Sequence, residues 1–179
     1  MVIIFFVASE VICLDNLLIL GAGQYSNIVY DIAKATEKFG NIDFLDDNAP
    51  KAIGKTTDAA TFLDSYKYAT VAMGNSTNRL TYLKELEKAG FHLPIICSPM
   101  AYISPSASID KGSIIEPMAV IHSNAKIGKG CLICAGAVIN HDAIIEDGCQ
   151  IDCNAVVPSS KTVPEKTKFP CGCVFSSNK

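Results

Sequence analysis

The second half of the chain carries an aliphatic residue at every sixth position. The series runs from Ile103 to Val163 without a gap, and a small residue follows its members by four positions until Lys161 interrupts the pattern. Residues that tolerate a positive φ angle are enriched three positions after the aliphatic. The aliphatic residues are Ile103, Ile109, Ile115, Ile121, Ile127, Ile133, Ile139, Ile145, Ile151, Val157 and Val163; the small residues are Ala107, Ser113, Ala119, Ala125, Cys131, Ala137, Ala143, Cys149 and Ala155; the turn residues are Gly112, Asn124, Gly130, Gly136, Asp142, Gly148 and Asn154.

A period of six predicts short strands joined by tight corners, which is the repeat of a parallel β-helix. The aliphatic and small residues point inward, and three repeats close one triangular coil, so residues 18 apart stack at the strand spacing of about 4.8 Å. Gly112, Gly130 and Gly148 are spaced in this way and predict one corner that recurs in successive coils. The run from Ile103 to Val163 predicts a short prism of fewer than four coils.

The first half of the chain alternates short apolar runs with amphipathic stretches. This alternation predicts a small Rossmann-like parallel sheet with helices packed against it. One helix places Ile28, Val29 and Ile32 on a single face and stops at Gly40. The predicted strands are NLLILGAG, NIDFLDD, YATVAMG and FHLPIIC; the predicted helices are QYSNIVYDIAKATEKFG, a short one at ATFLDSY, and NSTNRLTYLKELEKAG.

The fold class expected from the two halves is α/β plus β-helix. We expect an N-terminal extension at 1–15, a sheet domain at 16–98, a β-helix at 99–168 and a C-terminal tail at 169–179. Ligands of a parallel sheet gather at the carboxyl ends of its strands. The candidate binding residues at these ends are Gly21, Gly23, Asp46, Asp47, Gly74 and Asn75.

The apolar N-terminus, MVIIFFVASEVICLDNLLIL, is interrupted by Glu10 and Asp15. No uncharged run is therefore long enough to span a bilayer. A secretory signal would need a positively charged residue near its start, and no Lys or Arg precedes Lys34. We expect a soluble extension or a misassigned start site, with membrane association as the alternative. The expected location is cytoplasmic.

Composition argues against two classes of partner. The formal net charge is −3, the pI is about 5.6 and no cluster of Lys and Arg exists, so nucleic acid is not an expected partner. Cys131 and Cys134 form a CxxC without a second pair at zinc-finger spacing. Cys131 and Cys149 stand at the small position of the repeat, so we expect small buried residues in a reducing compartment and no metal.

The register of the repeat determines where His141 lies. It occupies the third place of its repeat, at a corner, and points outward, with Asp142 at the positive-φ place. The wall that leads into this corner has Val120, Val138 and Val156 at its outward positions. An outward apolar column predicts association of copies, most simply as a homotrimer. His141 would then border a cleft between subunits, although a solvated corner without a function is the alternative at this point.

Five stretches carry a resemblance to a known family. They are LLILGAG, IDFLDD, VAMGNSTNR, ISPSASI and INHDAII, in this order across residues 16 to 157. The chain resembles the bacterial sugar acyltransferases of the sialic-acid O-acetyltransferase type, which include the N-acetyltransferases of UDP-4-amino-sugars. The resemblance implies a left-handed prism, a homotrimer, a nucleotide-sugar site on the N-terminal domain, and acetyl-CoA lying between neighbouring prisms.

The resemblance also implies a reaction and roles for individual residues. An acetyl group would move from acetyl-CoA to an amino or hydroxyl group of a sugar in bacterial glycan synthesis, and the expected acceptor is a nucleotide-activated sugar. His141 would be the general base and Asp142 would orient it, because imidazole titrates near neutrality. The resemblance also implies that Asp46 and Asp47 contact the uridine or its ribose, and that Gly21 and Gly23 allow the backbone to approach the ligand closely. Gly74 and Asn75 would contribute at the next strand end, and Tyr25 would contact the substrate. The Ser159 N–H would face the thioester oxygen.

The chain departs from the family at three places. Gly23-Gln24-Tyr25 stands where the family has Gly-Gly-His, so tyrosine replaces a histidine that contacts substrate. The chain turns irregular after Val163, whereas relatives carry further coils and a loop that help to hold CoA. Cys97 stands where a histidine is common.

Other functions fit the residues less well. A nucleotide-binding oxidoreductase would use Gly21, Gly23 and Asp46, but Ser26 replaces the third glycine and we expect no second catalytic domain. A β-helix zinc hydratase needs three histidines, and the prism has only His122 and His141. The main alternative is a degenerate trimer that binds a nucleotide sugar without acyl transfer. The sequence does not identify the sugar or distinguish N- from O-acylation.

Overall fold

The structure, a computed structural model, describes residues 14–176. It contains a small α/β domain followed by a left-handed parallel β-helix of about four coils, which confirms the predicted fold class. Most of the N-terminal extension, residues 1–13, lies outside the described residues. Within residues 14–176, no helix is both long and apolar enough to cross a membrane.

The N-terminal domain is built on a three-stranded parallel sheet in the order β2 (Ile42–Leu45), β1 (Leu17–Leu20), β3 (Tyr68–Val71). All four residues of β1 are buried, because the 3-10 helix and the second α-helix cover one face of this central strand, and the first α-helix together with the β-helix covers the other. The elements are β1 Leu17–Leu20, α1 Gln24–Ala35, β2 Ile42–Leu45, a 3-10 helix Thr56–Phe62, β3 Tyr68–Val71 and α2 Ser76–Ala89.

Two details of this domain differ from the prediction. Helix α1 ends at Ala35 and buries Ser26, Val29, Ile32 and Ala33, whereas Ile28 is 43% exposed. The buried stripe follows positions 26, 29 and 33, so Ile28 lies one residue away from it. The short helix predicted at ATFLDSY is the 3-10 helix and begins earlier, at Thr56.

The predicted fourth strand does not belong to this sheet. Ile96 and Cys97 pair instead with Ile114 and Ile115 in the β-helix, and His92 makes only an isolated bridge to Tyr68. The prediction was wrong because a short apolar run has the same sequence pattern whether it joins the N-terminal sheet or the β-helix.

The β-helix has three parallel sheets, which we call walls one, two and three. Residues 18 apart are paired, as in Val138 with Val120 and Val156, so the predicted coil of three repeats is confirmed. Wall one is β4 Ile96–Cys97, β7 Ile114–Ile115, β10 Leu132–Ile133, β13 Gln150–Ile151 and β16 Lys168–Phe169; wall two is β5 Tyr102–Ile103, β8 Val120–Ile121, β11 Val138–Ile139 and β14 Val156–Val157; wall three is β6 Ser108–Ile109, β9 Lys126–Ile127, β12 Ile144–Ile145 and β15 Thr162–Val163.

The coils continue beyond the point where the sequence turns irregular. Phe169 pairs with Ile151, Val174 bridges to Val156, and the Phe175 N–H donates to the Val156 carbonyl at 2.8 Å. Pairing thus continues past Val163, where the repeat pattern of the sequence turns irregular, and into the residues taken as the C-terminal tail. Backbone pairing persists although the aliphatic period has ended.

The inward and corner residues have the predicted roles. Aliphatic and small residues of the repeat form one core cluster, with Cys131 and Cys149 fully buried, whereas Cys171 and Cys173 are exposed. All seven described cysteines are free thiols. Every predicted turn residue has a positive φ angle, and Met118, Ser160 and Lys166 adopt the same conformation at equivalent corners.

The N-terminal domain packs against wall one and one adjoining corner. The outward side chains Ile96, Ile114 and Leu132 are buried in one cluster with residues of β1 and α1. Helix α2 lies on the glycine corner, where a Cβ at Gly130 would lie 2.6 Å from the Leu83 side chain. This glycine is therefore required both by its φ of 62° and by the close approach of α2.

Candidate active site

His141 lies at the corner between walls two and three, directly after β11. Its side chain is 61% exposed, and its Nδ1–H donates to Asp142 Oδ2 at 2.7 Å. Asp142 occupies the turn position of this corner, with a φ of 59°. In the neutral ring with Nδ1 as the donor, Nε2 carries the lone pair, which is the tautomer that a general base requires.

Asn124 completes this group from the coil below. Its Nδ2 donates to Asp142 Oδ1 at 3.1 Å, so each carboxylate oxygen has one donor. The hydrogen bonds from His141 and then Asn124 lower the pKa of Asp142. Asn124 was not predicted as a site residue, although its position 18 residues before Asp142 could have revealed it.

The surroundings of His141 leave room for ligands. Wall two presents Val120, Val138 and Val156 at its surface. One coil above His141, Ser159 is exposed, and its N–H donates to no acceptor within the described part of the chain. An open groove of about 470 Å³ runs along wall three beside Asp142 and is lined by Ser106, Ser108, Asn124, Lys126, Asp142 and Ile144.

The predicted strand-end residues are brought together at one edge of the N-terminal sheet. Gly21 has a φ of 96°, and a Cβ there would lie 3.0 Å from the Ala72 carbonyl oxygen. A Cβ at Gly23 or Gly74, in contrast, would meet no atom within 4 Å. The edge is therefore closely packed at Gly21, whereas space is open beside Gly23 and Gly74.

The two acids after β2 have different surroundings. Asp46 accepts the N–H of Ala22 at 2.8 Å through Oδ2, and those of Asn48 and Ala49 through Oδ1. The Ala22 bond is the largest of the effects that lower its pKa. Asp46 therefore fixes the glycine loop. Asp47 is exposed and uses only Oδ1, which accepts from Thr56, so ligand contact through Oδ2 stays open.

Lys51 adds a positive charge that sequence reasoning missed. Its Nζ donates to Ser26 Oγ at 3.2 Å and to Asn27 Oδ1 at 2.5 Å, beside the first turn of α1, and lies over the Phe44 ring. The N-terminus of a helix attracts anions, and a nearby ammonium strengthens that attraction.

At the next strand end, Asn75 caps α2, because its side-chain oxygen accepts the Asn78 N–H.

Arg79 connects this edge to the β-helix and was also missed. Its guanidinium is fully buried and bonds only main-chain carbonyls, those of Met73 and Gly74 on one side and of Gly130 and Gly148 on the other. Burial lowers the pKa of Arg79, although an arginine remains protonated. The strand-end loop is thereby tied to the glycine corner.

One chain does not bring its two groups of site residues together. The N-terminal domain covers wall one and the glycine corner, whereas His141 lies at the corner of walls two and three, opposite wall one. Within residues 14–176, no group of three or more His, Cys, Asp or Glu side chains could hold a metal ion.

An α/β domain followed by a β-helix of six-residue repeats defines the class of two-domain proteins with hexapeptide repeats. Residues 16–86 match the PglD N-terminal domain, and residues 106–141 and 124–159 match the bacterial transferase hexapeptide repeat. The resemblance to the bacterial sugar acyltransferases is thereby confirmed. No curated protein sequence matches this chain.

Solved structures show the same architecture. The acetyltransferase domain of PglB from Neisseria gonorrhoeae FA1090 has a TM-score of 0.82 and 26% identity, over 90% of this chain and 91% of that one. The same domain in complex with acetyl coenzyme A has a TM-score of 0.78 and 24% identity, over 90% and 93%. A mutant of perosamine N-acetyltransferase from Caulobacter crescentus, in complex with CoA and GDP-perosamine, has a TM-score of 0.75 and 19% identity, over 90% and 88%.

Proposed function

We propose that the protein transfers an acetyl group from acetyl-CoA to an amino or hydroxyl group of a nucleotide-activated sugar. The observation that carries this proposal is the corner group of His141, Asp142 and Asn124, in which Asp142 engages Nδ1 of an exposed imidazole and leaves Nε2 without a partner among the described residues. Similar solved structures are complexes with acetyl coenzyme A, or with CoA and GDP-perosamine, which supports the same donor and acceptor classes. Because acetyl-CoA is the proposed donor, we place the reaction in the cytoplasm.

A homotrimer is part of the proposal. The apolar column of wall two favours burial against another copy, and hexapeptide-repeat proteins are typically trimers. The imidazole and the strand-end edge lie on opposite sides of one prism, so a complete site needs both from different copies. We infer that His141 of one chain acts on a sugar held by the next chain.

Each group then has a chemical task. The open strand-end edge, with Asp47, Lys51 and the first turn of α1, holds the nucleotide and its diphosphate. His141 Nε2 removes the proton from the acceptor nitrogen or oxygen as that atom forms its bond to the thioester carbonyl carbon. Asp142 stabilises the imidazolium, and the free Ser159 N–H faces the developing oxyanion.

The step is completed when the carbon–sulfur bond breaks. The imidazolium returns its proton to the leaving CoA thiolate, which restores neutral His141. General base catalysis of this kind contributes about 10²- to 10⁴-fold, and holding the two substrates in place supplies much of the remainder.

The direct test uses purified protein, acetyl-CoA and a panel of UDP- and GDP-linked amino sugars, with free thiol as the signal. We expect thiol release with at least one acceptor and loss of release in His141→Ala. His122→Ala is the matched control, since His122 is an exposed histidine on the same prism. Binding of a nucleotide sugar without thiol release would overturn the proposal in favour of a non-catalytic binding trimer.

A further inference from the structure

Two cysteines occupy equivalent places in the last coils of the β-helix. Cys153 and Cys171 are 18 residues apart and lie at the corner that joins walls one and two. Their alignment is fixed by the strands just before them, because Ile151 pairs with Phe169. We call Cys153 and Cys171 the corner thiol pair, and neither is among the residues assigned to acetyl transfer above.

The two corners have the same backbone conformation. Asn154 and Gly172, which follow the two cysteines, have φ angles of 57° and 67°. The Gly172 N–H donates to the Cys153 carbonyl at 2.9 Å, which joins one corner to the next. Equivalent Cα atoms in adjacent coils are therefore about 4.8 Å apart.

This spacing is within the range that a disulfide bridges. Disulfides join Cα atoms that are about 4.4–6.8 Å apart and bring the Cβ atoms to about 3.8 Å, so the two corners have to approach by about 1 Å. A Cβ at Gly172 would meet no atom within 4 Å, which leaves room for that movement beside Cys171. The corner thiol pair can thus be linked without a change of fold.

The corner thiol pair is also accessible to small solutes. Cys171 is exposed, and Cys153 is partly exposed at the margin of the cluster that joins α1 to wall one. Burial, then the charges of Glu116 and Cys171, raise the pKa of Cys153. Cys153 is therefore a protonated thiol at neutral pH, and Cys171 is the thiol that an oxidant reaches first.

A second stacked pair has the same spacing but lacks this access. Cys131 and Cys149 are also 18 residues apart, and both are fully buried in the core of the prism. Cys131 Sγ donates to the Glu146 carbonyl at 3.1 Å, and Cys149 Sγ donates to the Pro164 carbonyl at 3.0 Å. Burial raises the pKa of Cys131 to about 12. Exposure, and not spacing alone, therefore distinguishes the corner thiol pair.

The coil between the two thiols is the least buried part of the β-helix. All residues from 170 to 174 are exposed. Phe169 and Phe175 are partly buried and contact each other with ring centroids 5.4 Å apart. A bond between Cys153 and Cys171 would close one complete coil into a ring, and such a ring stabilises a fold mainly by restricting the unfolded chain.

We propose that Cys153 and Cys171 are a site of reversible oxidation by peroxides. The Cys171 thiolate attacks one oxygen of hydrogen peroxide, the O–O bond breaks, and hydroxide leaves and takes up the proton that the thiol released. Cys153 Sγ then attacks the sulfenic sulfur of Cys171; the S–S bond forms, the S–O bond breaks, and the Cys153 proton leaves with the hydroxyl group as water. Two thiols are oxidised, and one peroxide is reduced to two molecules of water.

Small cellular thiols reverse the reaction. A thiolate such as that of glutathione attacks one sulfur of the disulfide, and a second equivalent releases both cysteines as thiols. A link of this kind is transient and is compatible with a reducing compartment. The inference is independent of the proposed acetyl transfer, because it concerns two thiols outside that site.

The direct test is a peptide map of the intact protein after treatment with a small molar excess of hydrogen peroxide. Remaining thiols are alkylated, and linked peptides are identified by mass spectrometry. We expect one link, between Cys153 and Cys171 of the same chain, that disappears on incubation with reduced glutathione. The oxidised protein should also show a Tm higher by about 5 °C or more.

Two variants assign these effects to the corner thiol pair. Cys171→Ser should lose both the link and the rise in Tm. Cys173→Ser is the matched control, because Cys173 is an exposed thiol two residues away and its removal should leave both effects intact. The map of the wild type gives its answer whether or not a variant folds.

Several results would overturn the proposal. A link from Cys171 to Cys173, or to a second copy seen as a dimer on a non-reducing gel, would show that the corner thiol pair is not the site. Recovery of both thiols unmodified, or of Cys171 as a sulfinic acid without a link, would do the same. A rise in Tm that persists in Cys171→Ser would assign the effect to another residue.

Discussion

At the scale of single residues, the corner of His141 depends on a contact between two coils. Asp142 would be free to turn toward solvent if only His141 bonded it, because its side chain is half exposed. Asn124 occupies the second carboxylate oxygen and so fixes the orientation of the carboxylate that bonds the proposed base. Asn124 is a positioning residue in this account.

We predict that Asn124→Ala lowers kcat by about three- to tenfold and leaves the KM for acetyl-CoA unchanged, since only part of the base effect is lost. Steady-state kinetics measure the split. Asn154→Ala is the matched control, because Asn154 has nearly the same φ, 57° against 60°, at a corner remote from His141. Equal loss of kcat in the two variants would contradict the role of Asn124.

At the scale of elements, the contact of α2 with the glycine corner joins the two domains. Gly130→Ala would place a methyl group in a positive-φ backbone and against Leu83. We expect a loss of about 2–4 kcal/mol in the free energy of unfolding, from backbone strain and overpacking together. Chemical denaturation measures the loss.

Gly172→Ala separates the two causes of that loss. Gly172 has a φ of 67°, but a Cβ there would meet nothing within 4 Å. Its loss should be limited to the backbone strain of about 1–2 kcal/mol. Equal losses at the two positions would show that the contact with α2 contributes nothing.

The same helix is attached to the corner by an exposed ionic contact. Glu87 bonds Lys111 and Lys129, and these two bonds lower its pKa to about 2. Because the pKa is lowered in the folded state, Glu87 stabilises the fold at pH values above the ordinary glutamate pKa of about 4.3. This stabilisation is lost as the pH falls toward 2. Because Glu87 and Lys111 are exposed, the effect should be small.

We therefore predict that Glu87→Gln lowers Tm slightly at pH 7, and that the difference from wild type disappears between pH 4 and pH 2. Thermal unfolding across this range measures it. Glu85→Gln is the matched control, since Glu85 is on the same helix and has no ion pair among residues 14–176. A difference that stays constant down to pH 2 would refute the ionic origin.

The sequence predicted some of these elements far better than others. The aliphatic period is local and repeated, so it fixed the coil, the register and the outward direction of His141. The strand Ile96–Cys97 was misplaced because two residues carry no period. Arg79 was missed because its partners, Gly130 and Gly148, are 51 and 69 residues away, and nothing local marks a contact of that kind.

At the scale of the whole molecule, the proposed activity depends on the opposite placement of two surfaces. The N-terminal domain lies on wall one, and the proposed base His141 lies at the corner opposite that wall. The proposed cyclic trimer through wall two would join one surface of each chain to the other surface of the next. The three sites would then be shared, and no isolated chain would be active.

The most direct measurement is complementation between two inactive chains. His141→Ala lacks the base, and Gly74→Phe blocks the strand-end edge at a position where an added side chain meets open space. When the two are co-expressed with different tags, each doubly tagged trimer contains one site with an intact base and an intact edge. We predict about one third of wild-type thiol release from such trimers, although each variant alone is inactive. Doubly tagged trimers with no more activity than either variant alone would contradict a site shared between chains.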